Sequence, residues 1–448
     1  MNEYSRSKCR VSPREVKLET TAQGLTSYAG LVPVIRFLQK RLGFRRLCRE
    51  TVAHARGANA TYQLADVIEL TIVGVLGAAS SLTGICHVWV DRVLRQVAGW
   101  TRLPVDTTLG RVFKEVGRRE VMALETLTHR LRGRVWRRLQ QSGERLRSAS
   151  LVMWVDVDST VKTVYGNQEG AAKGYNEHKR GARSYHPLLG FCAETKEILQ
   201  GWLRSGDAYT SNGMVLFMQQ LAASVNRKVR IIWRADSGFF AGETLAFAES
   251  RGDGYLIKVK LRNLVELLSC QKWTPVAGHP GWEATTFEHR CRSWSRSRTF
   301  KAVRQRKKSD EPTQQLQLLE VPEYEYFCYV TNLSLTPWET HKTYGKRATC
   351  ETWIEEAKNQ MGLAALRTEA FQANAALFQC AIMAYNLVRW MALLSGDEEL
   401  RRWEMQTVRT FLIRVAGKLS RGSRQLTLKT PEEHLHARQW AAWVAVSA

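Results

Sequence analysis

The sequence lacks most features of a secreted, disulfide-bonded or membrane-embedded protein. Its nine cysteines form no Cys-x-x-Cys pair, which argues against a disulfide framework and structural zinc and favours reduced thiols. The longest charge-free run, Leu70 to Val90, is diluted by glycine, serine, threonine and histidine. We therefore expect a buried helix pair there and no transmembrane span. The first residues contain no apolar core of a secretory leader, so we expect a cytoplasmic protein.

Acidic side chains are scarce relative to basic ones. The 448 residues contain 66 Lys and Arg against 42 Asp and Glu, which gives a net charge of +24. A surface of that sign repels itself unless a polyanion is bound, so nucleic acid is the expected partner and the nucleoid the expected location. Hydrophobic residues make up 44% of the chain, which excludes an intrinsically disordered protein.

Helical spacing of apolar residues dominates the first third of the chain, from Gly30 to about Ser148. A breaker-plus-cap signal at Pro104 and Asp106 precedes four residues expected on one helix face: Thr108, Arg111, Lys114 and Arg118. That face could read a DNA groove, as the second helix of a helix-turn-helix does, or be the solvated side of an amphipathic helix. A second basic cluster, expected to contact phosphate, comprises Arg130, Arg132, Arg134, Arg137 and Arg138.

A β-rich pattern begins at Leu151, where about eight residues end in two carboxylates, Asp156 and Asp158. Further strands are expected at 187–193, 198–203, 229–233 and 255–259, with helices at 214–225 and 243–249. The resulting order, βββαβαβ, is that of a ribonuclease H-like fold, with Asp158 ending the first strand and Asp236 just past the fourth. The expected fold class is an α/β core, with a mixed sheet flanked by helices, that follows a helical N-terminal region.

The second half of the chain changes character twice. Between about 261 and 338 it is polar, strand-like and basic, which we interpret as a β-rich insertion. Helical periodicity then returns from Tyr344 to Leu394. The expected organisation is a helical DNA-binding region at 1–148, a core in two parts at 149–261 and 339–398, the insertion at 262–338, and a C-terminal region at 399–448 for DNA contact or dimerisation.

Four polar residues of different kinds are expected on one stripe of a helix: Tyr344, Arg347, Glu351 and Lys358. At ~100° per residue their offsets place them within about 60° of one face. A surface helix with an ordinary Arg–Glu pair would give the same pattern. Asp158 and Asp236 add two carboxylates at strand ends, so three acidic positions could converge on one metal site. Asp156 shares a strand face with Asp158, and Glu355 shares the stripe with Glu351, so these alternatives stay open.

The spacing Tyr-x2-Arg-x3-Glu-x6-Lys is complete in this stripe, and on it the chain resembles the bacterial insertion-sequence transposases of the DDE type. Other segments similar to that family are Asp156-Val-Asp158-Ser-Thr, Tyr165-Gly, Gln168 to Tyr175, Ser184-Tyr-His-Pro-Leu188, Arg234-Ala-Asp236-Ser-Gly-Phe239 and Val330-Thr-Asn. The resemblance implies that Asp158, Asp236 and Glu351 are the catalytic, metal-binding triad. It also implies that Tyr344, Arg347 and Lys358 bind DNA phosphates.

The resemblance further implies a reaction, cofactors and partners. Such an enzyme binds terminal inverted repeats in double-stranded DNA, pairs two ends as a homodimer, cleaves them and joins the 3′-hydroxyls to target DNA, with a hairpin intermediate. Two Mg²⁺ ions roughly 3.5–4 Å apart, with Mn²⁺ as a substitute, would activate the attacking water and neutralise the leaving oxygen. Trp273, Trp282 and Trp294 are the candidates for an aromatic side chain of the insertion that acts on DNA.

Two other functions use some of the same residues. Asp156-Val-Asp158 matches the Asp-x-Asp metal motif of a nucleotide-sugar glycosyltransferase, but that function leaves the positive charge and the Glu351 stripe without a use. A catalytically silent DNA-binding protein derived from a transposase would keep the fold and the charge without turnover, although an intact triad argues against it. Mg²⁺-dependent strand transfer with a terminal-repeat oligonucleotide separates all three.

Overall fold

The first third of the chain folds into helices that pack on one another. The computed structural model describes residues 17–54, 56, 60–141, 152–174, 176, 179–209, 211–226, 228–306, 324–365, 368–422 and 425–448. The elements of this part are β1 (Leu25–Thr26), α1 (Leu31–Arg36), α2 (Phe44–Thr51), α3 (Leu64–Leu76), α4 (Leu82–Val88), α5 (Arg92–Ala98), α6 (Asp106–Lys114) and α7 (Arg118–Gln141). A π-helical turn, Phe37–Arg41, extends α1.

Side-chain caps explain where two of these helices begin. The Asp91 carboxylate accepts hydrogen bonds from the amides of Val93 and Leu94 at the start of α5. The Ser81 hydroxyl accepts one from the Gly84 amide at the start of α4. Such caps satisfy amides that have no partner within the helix. Helix α3, which precedes α4 in the chain, is almost wholly buried and packs on α4. Together α3 and α4 form the helix pair predicted from the charge-free run.

The middle of the chain alternates strands and helices. Its elements are β2 (Val152–Ser159), β3 (Lys162–Thr163), β4 (Ala172–Lys173), β5 (Arg183–Tyr185), β6 (Leu188–Cys192), β7 (Ile198–Trp202), α8 (Met214–Ala223), β8 (Arg230–Ala235), α9 (Gly242–Ser250) and β9 (Gly254–Lys258). The five main strands and two helices predicted for this part are present within two residues of the expected bounds, while Leu151 lies outside the described residues. The short strands β3 to β5, which pair in the order β3-β5-β4, were not predicted.

The expected insertion is β-rich where it is described. It contains α10 (Leu264–Ser269), β10 (Thr274–Pro275), β11 (Trp282–His289), β12 (Arg298–Arg306) and β13 (Tyr324–Thr331). These strands do not form a separate layer, because β13 pairs antiparallel with β9, with Tyr329 opposite Lys258. The segment predicted to be an insertion therefore extends the central sheet.

The central sheet has nine strands in the order β10-β11-β12-β13-β9-β8-β2-β6-β7. Strand β2 runs parallel to β8, and β8 runs parallel to β9. The other neighbouring pairs are antiparallel. A large mixed sheet with flanking helices confirms the α/β class predicted from the sequence.

The last part of the chain returns to helices. Its elements are α11 (Pro337–Gly345), α12 (Ala348–Glu355), α13 (Phe371–Leu394), α14 (Glu398–Arg402), α15 (Met405–Val408), β14 (Gly417–Arg421), β15 (Leu426–Lys429) and α16 (Ala437–Ala445). Two π-helical turns, Glu356–Gln360 and Arg409–Ile413, follow α12 and α15. The C-terminal segment returns to the beginning of the chain, since β14 pairs with β1 and the Trp443 indole donates to the Gly30 carbonyl at 3.1 Å.

Helix α13 is the central helix of the larger hydrophobic core. By length and composition it could cross a membrane, but 94% of its most apolar stretch is buried inside the protein. Its polar side chains form hydrogen bonds with the backbone of the buried edge strand β7. The Asn386 amide pairs with both backbone groups of Ile198 at 2.8 Å, and the Gln379 amide donates to the Gly201 carbonyl at 2.7 Å. These contacts protect a sheet edge from pairing with another chain.

The helical N-terminal part and the sheet share buried contacts. Residues of α1 to α7, α13 and the C-terminal segment form one hydrophobic core, and a second core lies between the sheet and α8 and α9. At the junction, the fully buried Glu197 carboxylate accepts hydrogen bonds from the Trp136 and Trp390 indoles and the Thr195 hydroxyl. Helices α7 and α13 are thereby fixed to the β6–β7 hairpin.

Candidate active site

Two of the three predicted ligands meet at one edge of the sheet. Asp158 lies near the end of β2 and Asp236 directly follows β8. These strands are parallel with Val157 opposite Ala235, so the next residue of each strand lies at the same edge. Asp158 is buried, which raises the pKa of its carboxyl to about 7, and the negative charges of Asp236 and Glu351 add to that rise. Backbone amides hold both carboxylates, from Ser159 at 2.8 Å and from Gly238 at 2.9 Å.

Asp156, the alternative ligand on the same strand, is engaged elsewhere. Its side chain is fully buried, and its two oxygens accept hydrogen bonds from the Arg234 guanidinium at 2.5 and 2.7 Å. The third contact of Arg234 is to the Thr343 carbonyl at 2.7 Å, near the end of α11. The Asp156–Arg234 pair therefore connects β2 and β8 to the helix that carries Tyr344.

Arg347 lies between Asp158 and the third predicted ligand, Glu351. Its Nη2 contacts Asp158 Oδ2 at 2.7 Å and its Nη1 contacts Glu351 Oε1 at 3.2 Å. The guanidinium is 8% exposed, whereas the Glu351 side chain is 66% exposed. Burial alone would lower the pKa of Arg347, but Asp158, Tyr344 and Asp236 raise it above its ordinary value. The positive charge of Arg347 thus interacts with the carboxylates of Asp158, Asp236 and Glu351.

The single helical stripe expected from Tyr344 to Lys358 is wrong. Tyr344 belongs to α11, which ends at Gly345, a turn follows at Lys346 and Arg347, and α12 begins at Ala348. Lys358 lies in the π-helical turn beyond α12, where each turn contains more residues than in an α-helix. A constant ~100° step therefore fails across this segment. The Arg347–Glu351 pair is nevertheless present as an i, i+4 contact.

An aromatic cluster connects the insertion to Tyr344. The Trp282 ring lies 5.3 Å from the His341 ring, and the Tyr329 hydroxyl contacts His341 Nδ1 at 2.8 Å. The Tyr329 ring centre is 4.8 Å from that of Tyr344. Burial raises the pKa of Tyr344 to about 12, with the Arg347 charge opposing and the nearby carboxylates adding to the rise. The Tyr344 hydroxyl is therefore a hydrogen-bond donor at neutral pH.

The other two tryptophan candidates pack elsewhere. Trp294 is 7% exposed and packs against Phe240 and Phe300, with tilted rings, in the second hydrophobic core. The Trp273 indole donates to the Leu268 carbonyl, and its ring contacts Tyr326 and Arg304. Of the three, Trp282 is the one whose cluster reaches Tyr344.

His186 supports the strand that carries Asp158, a role that the sequence did not reveal. Its Nδ1 contacts the Ala208 carbonyl at 2.7 Å and its Nε2 contacts the Ser159 hydroxyl at 3.1 Å. A carbonyl only accepts, so Nδ1 carries the proton and Nε2 accepts from Ser159. Burial lowers the pKa of His186, which keeps the ring neutral. The motif Ser184-Tyr-His-Pro-Leu188 is the feature of the sequence that could have indicated this role of His186.

The motif that begins at Gln168 contains β4 and contacts the start of α13 through Glu169. The Glu169 amide donates to the Glu369 carbonyl at 2.8 Å, and the Glu169 carboxylate accepts from the Phe371 amide at 2.9 Å. Gly170 has φ +73°, and a Cβ there would lie 2.4 Å from the Phe371 ring. Glycine is therefore required at this position. Tyr175, the last residue of this motif, lies outside the described residues.

The basic helices of the N-terminal part differ from expectation in two places. Helix α6 contains Thr108, Arg111 and Lys114, but Arg118 starts α7, so Arg118 does not share a helix face with the other three. The turn between α6 and α7 ends at Gly117, which interrupts the helix. Arg132 is 1% exposed and donates to the Leu199 carbonyl and the Ser224 hydroxyl, so it is a buried contact to the sheet.

Metal-binding groups are sparse in the described part of the chain. No three His, Cys, Asp or Glu side chains there are grouped closely enough to hold a metal ion. Eight cysteines, all those within the described ranges, are free thiols. The donors available at the sheet edge are oxygens of Asp158, Asp236 and Glu351, with Arg347 in contact with two of them.

Comparisons with known proteins identify a family and a solved structure to which the chain is similar. The family model described as "Transposase DDE domain group 1" matches residues 8–446. No curated protein matches the chain. Among solved structures, the chain is similar to one described as a cryo-EM structure of the piggyBac transposase synaptic complex with hairpin DNA, at 11% identity and a TM-score of 0.42, over 87% of this chain and 80% of that chain.

Proposed function

Because the chain belongs to the DDE transposase domain group 1 family, we propose that it cleaves DNA at terminal inverted repeats and joins the 3′-hydroxyls to target DNA. The family is one of enzymes that cut and transfer DNA and that generally use divalent metal ions. We assign the catalytic role to Asp158, Asp236 and Glu351. The observation that carries this assignment is the meeting of Asp158 and Asp236 at the ends of adjacent parallel strands, with Glu351 joined to Asp158 through Arg347.

We also assign the core to the ribonuclease H-like fold. The order β7-β6-β2-β8-β9, with an antiparallel hairpin followed by parallel strands, corresponds to the sequence order βββαβαβ. In an open sheet of this kind, side chains at the carboxyl ends of parallel strands face a common crevice. This topology supports the placement of the active site at that edge.

The acidic residues fit a divalent ion by the chemistry of their donors. Carboxylate oxygens are the ligands that Mg²⁺ and Mn²⁺ prefer, and neither thiolate nor imidazole is needed. Two Mg²⁺ ions bound by Asp158, Asp236 and Glu351 would activate a water or 3′-hydroxyl and neutralise the leaving oxygen. The chain itself orients Asp158 and Asp236 through the amides of Ser159 and Gly238.

Arg347, Lys358 and Tyr344 are proposed to contact phosphates beside the scissile bond. A guanidinium has five N–H donors in a planar fork, so contacts with two carboxylates leave donors for a phosphate oxygen. The Nε of Arg347 is buried and makes no hydrogen bond within the protein. Arg347 would therefore have two tasks, to position Asp158 and Glu351 and to bind the substrate.

The partner is DNA, in keeping with the family and the net charge of +24. We propose that the helical N-terminal part recognises double-stranded terminal repeats and that two copies pair the ends as a homodimer. A hairpin intermediate, and action in the cytoplasm on the nucleoid, belong to the same proposal. They follow from the resemblance to insertion-sequence transposases.

Strand transfer into a plasmid tests the proposed function. The substrate is a duplex that carries the terminal repeat of the element, with Mg²⁺ present. We expect joined products from the wild type and none from Glu351→Gln. Glu355→Gln is the matched control, because Glu355 is exposed on the same helix one turn later, and it should transfer strands at the wild-type rate.

Two results would contradict the proposal. If Glu355→Gln lost strand transfer and Glu351→Gln retained it, the third ligand would be Glu355 and the assignment to Glu351 would be wrong. Repeat binding by the wild type without cleavage or joining, in Mg²⁺ and in Mn²⁺, would indicate the catalytically silent DNA-binding protein instead.

A further inference from the structure

Six arginines gather where α7 crosses the end of the first helix and α2. This arginine surface comprises Arg41, Arg46, Arg130, Arg134, Arg137 and Arg138. It is built from elements that do not carry the three carboxylates of the candidate active site. Arg132, although part of the same basic run in the sequence, faces the sheet and is not part of it.

Three of these side chains are fixed by hydrogen bonds. Arg134 donates to the Leu42 carbonyl and Arg138 to the Arg41 carbonyl, at the C-terminal end of the first helix. Arg130 donates to the Thr51 hydroxyl at 2.7 Å. Cations at a helix C-terminus interact favourably with its carbonyls, so Arg134 and Arg138 also have a structural role.

The remaining three, Arg41, Arg46 and Arg137, are exposed, and the Arg46 side chain is 73% accessible. Arg137 donates to the Gly133 carbonyl of its own helix at 3.2 Å, which does not fix it to another element. The Nε of Arg46 lies 3.6 Å from a Glu50 oxygen, and this pair is itself exposed on both sides. An exposed ion pair of this kind contributes only ~0–1 kcal/mol, so it does not explain why further arginines gather here.

The guanidinium groups are close enough to repel one another. Burial lowers the pKa of Arg134, and the charges of Arg46, Arg137 and Arg130 lower it further, with Glu50 opposing. Burial and the charges of Arg41, Arg134 and Arg137 lower the pKa of Arg138 in the same direction. Nη1 of Arg138 is buried without a hydrogen-bond partner. A cluster that repels itself is stabilised when a polyanion neutralises it.

We propose that the arginine surface binds the phosphate backbone of duplex DNA without reading its sequence, at a position separate from the active site. This inference rests on the proposed function, since it assigns the transposase a second DNA contact. Residues 130 and 138 of α7 are separated by ~12 Å along the helix axis. One DNA strand presents about three to four phosphates over that length, at ~3.4 Å each. A row of guanidinium forks matches such a target in charge and in geometry.

The experiment compares two doubly substituted full-length proteins of equal net charge. R46Q/R137Q removes two exposed charges of the arginine surface. K228Q/R230Q, the control, removes two exposed charges at the start of β8, the opposite end of that strand from Asp236. Binding of a repeat-free 30-base-pair duplex is measured by fluorescence anisotropy over a salt series.

For R46Q/R137Q we expect the slope of log K against log salt to fall by ~1.8, at ~0.9 for each lost phosphate contact. If the variant and the wild type bind equally near 1 M salt, that change in slope corresponds to roughly 60-fold weaker binding by the variant near 0.1 M salt. R46K/R137K keeps both charges and should restore the slope. K228Q/R230Q should bind within about threefold of the wild type, because its two charges are on none of the elements that form the arginine surface.

Several outcomes would overturn the inference. Equal weakening in R46Q/R137Q and K228Q/R230Q would show that only total charge matters, and unchanged binding in both would remove the surface as a DNA contact. If R46Q/R137Q bound DNA as the wild type does but lost binding to vesicles with 30% phosphatidylserine, the arginine surface would bind an anionic membrane and not DNA. Failure of the proposed function gives a different result: the wild type would not cleave DNA, while the loss of duplex binding in R46Q/R137Q would persist.

Discussion

Replacing Asp156 by asparagine tests whether this carboxylate is structural or catalytic. Both oxygens of the fully buried side chain accept hydrogen bonds from Arg234, at 2.5 and 2.7 Å. An asparagine keeps one acceptor oxygen and removes the counter-charge, so the guanidinium would be buried without an ionic partner. Removal of one member of a buried ion pair costs about 3–5 kcal/mol. We expect Asp156→Asn to lower the free energy of unfolding by that amount.

The assay is urea unfolding followed by tryptophan fluorescence, with nicking of a terminal-repeat duplex measured well below the unfolding transition. Asp158→Asn, two residues along the same strand, is the matched control. It should be destabilised less than Asp156→Asn, because Arg347 makes one contact with Asp158 and keeps its contact with Glu351. It should also lose nicking. A wild-type midpoint for Asp156→Asn together with lost nicking would refute the structural role, since that is the behaviour of a metal ligand.

Three further changes have defined outcomes. Burial raises the pKa of Glu125 from 4.5 to about 7. Between these two pH values the Glu125 carboxyl is therefore protonated in the native state and ionised in the unfolded state. Stability is then lost as pH rises, by about 3 kcal/mol at ~1.36 kcal/mol per pH unit. Glu125→Gln should abolish this loss in unfolding curves at pH 4 and pH 8, and equal pH dependence in the two proteins would contradict it. Gly170→Ala should lower the melting temperature, since its Cβ would lie 2.4 Å from the Phe371 ring and φ is +73°; an unchanged temperature would disprove the need for glycine. Arg347→Lys should slow single-turnover nicking by ~10²-fold, because an ammonium cannot bridge both carboxylates as a planar fork does. Wild-type rates would reduce Arg347 to an ordinary ion pair.

The strand ends that carry Asp158 and Asp236 are predictable from the sequence. Each follows a run of apolar, largely β-branched or aromatic residues, and parallel neighbours bring such ends to one edge. Alternation, however, cannot separate Asp156 from Asp158, because residues two apart face the same side. Only the pairing of β2 with β8, which places Arg234 opposite Asp156, distinguishes them.

Helical periodicity in the sequence does not predict the geometry around Arg347. The motif spacing identifies the residues, but the turn at Lys346 and Arg347 and the π-helical turn after α12 break the regular helix. Arg347 also points inward because Asp158, nearly two hundred residues earlier in the chain, provides its counter-charge. Contacts between distant segments fix these orientations, and a single sequence does not contain them as a pattern.

Charge alone likewise fails to separate the arginines of α7. Arg132 and Arg134 are two residues apart and look equivalent in the sequence. In the structure, Arg132 is buried because the Leu199 carbonyl of β7 accepts its hydrogen bond, whereas Arg134 belongs to the arginine surface. Amphipathic analysis gives the helix and its basic character, but tertiary packing decides which charge faces the sheet.

Nicking by Asp236→Asn tests the central claim most directly, namely that the carboxylates at the edge of the sheet perform the cleavage. The wild type and the variant are each bound to a terminal-repeat duplex, and Mg²⁺ is added to start a single turnover. The account predicts equal binding and a loss of nicking of more than ~100-fold, the upper effect of changing an outer-shell group of a metal site. Nicking at the wild-type rate by folded Asp236→Asn would contradict it.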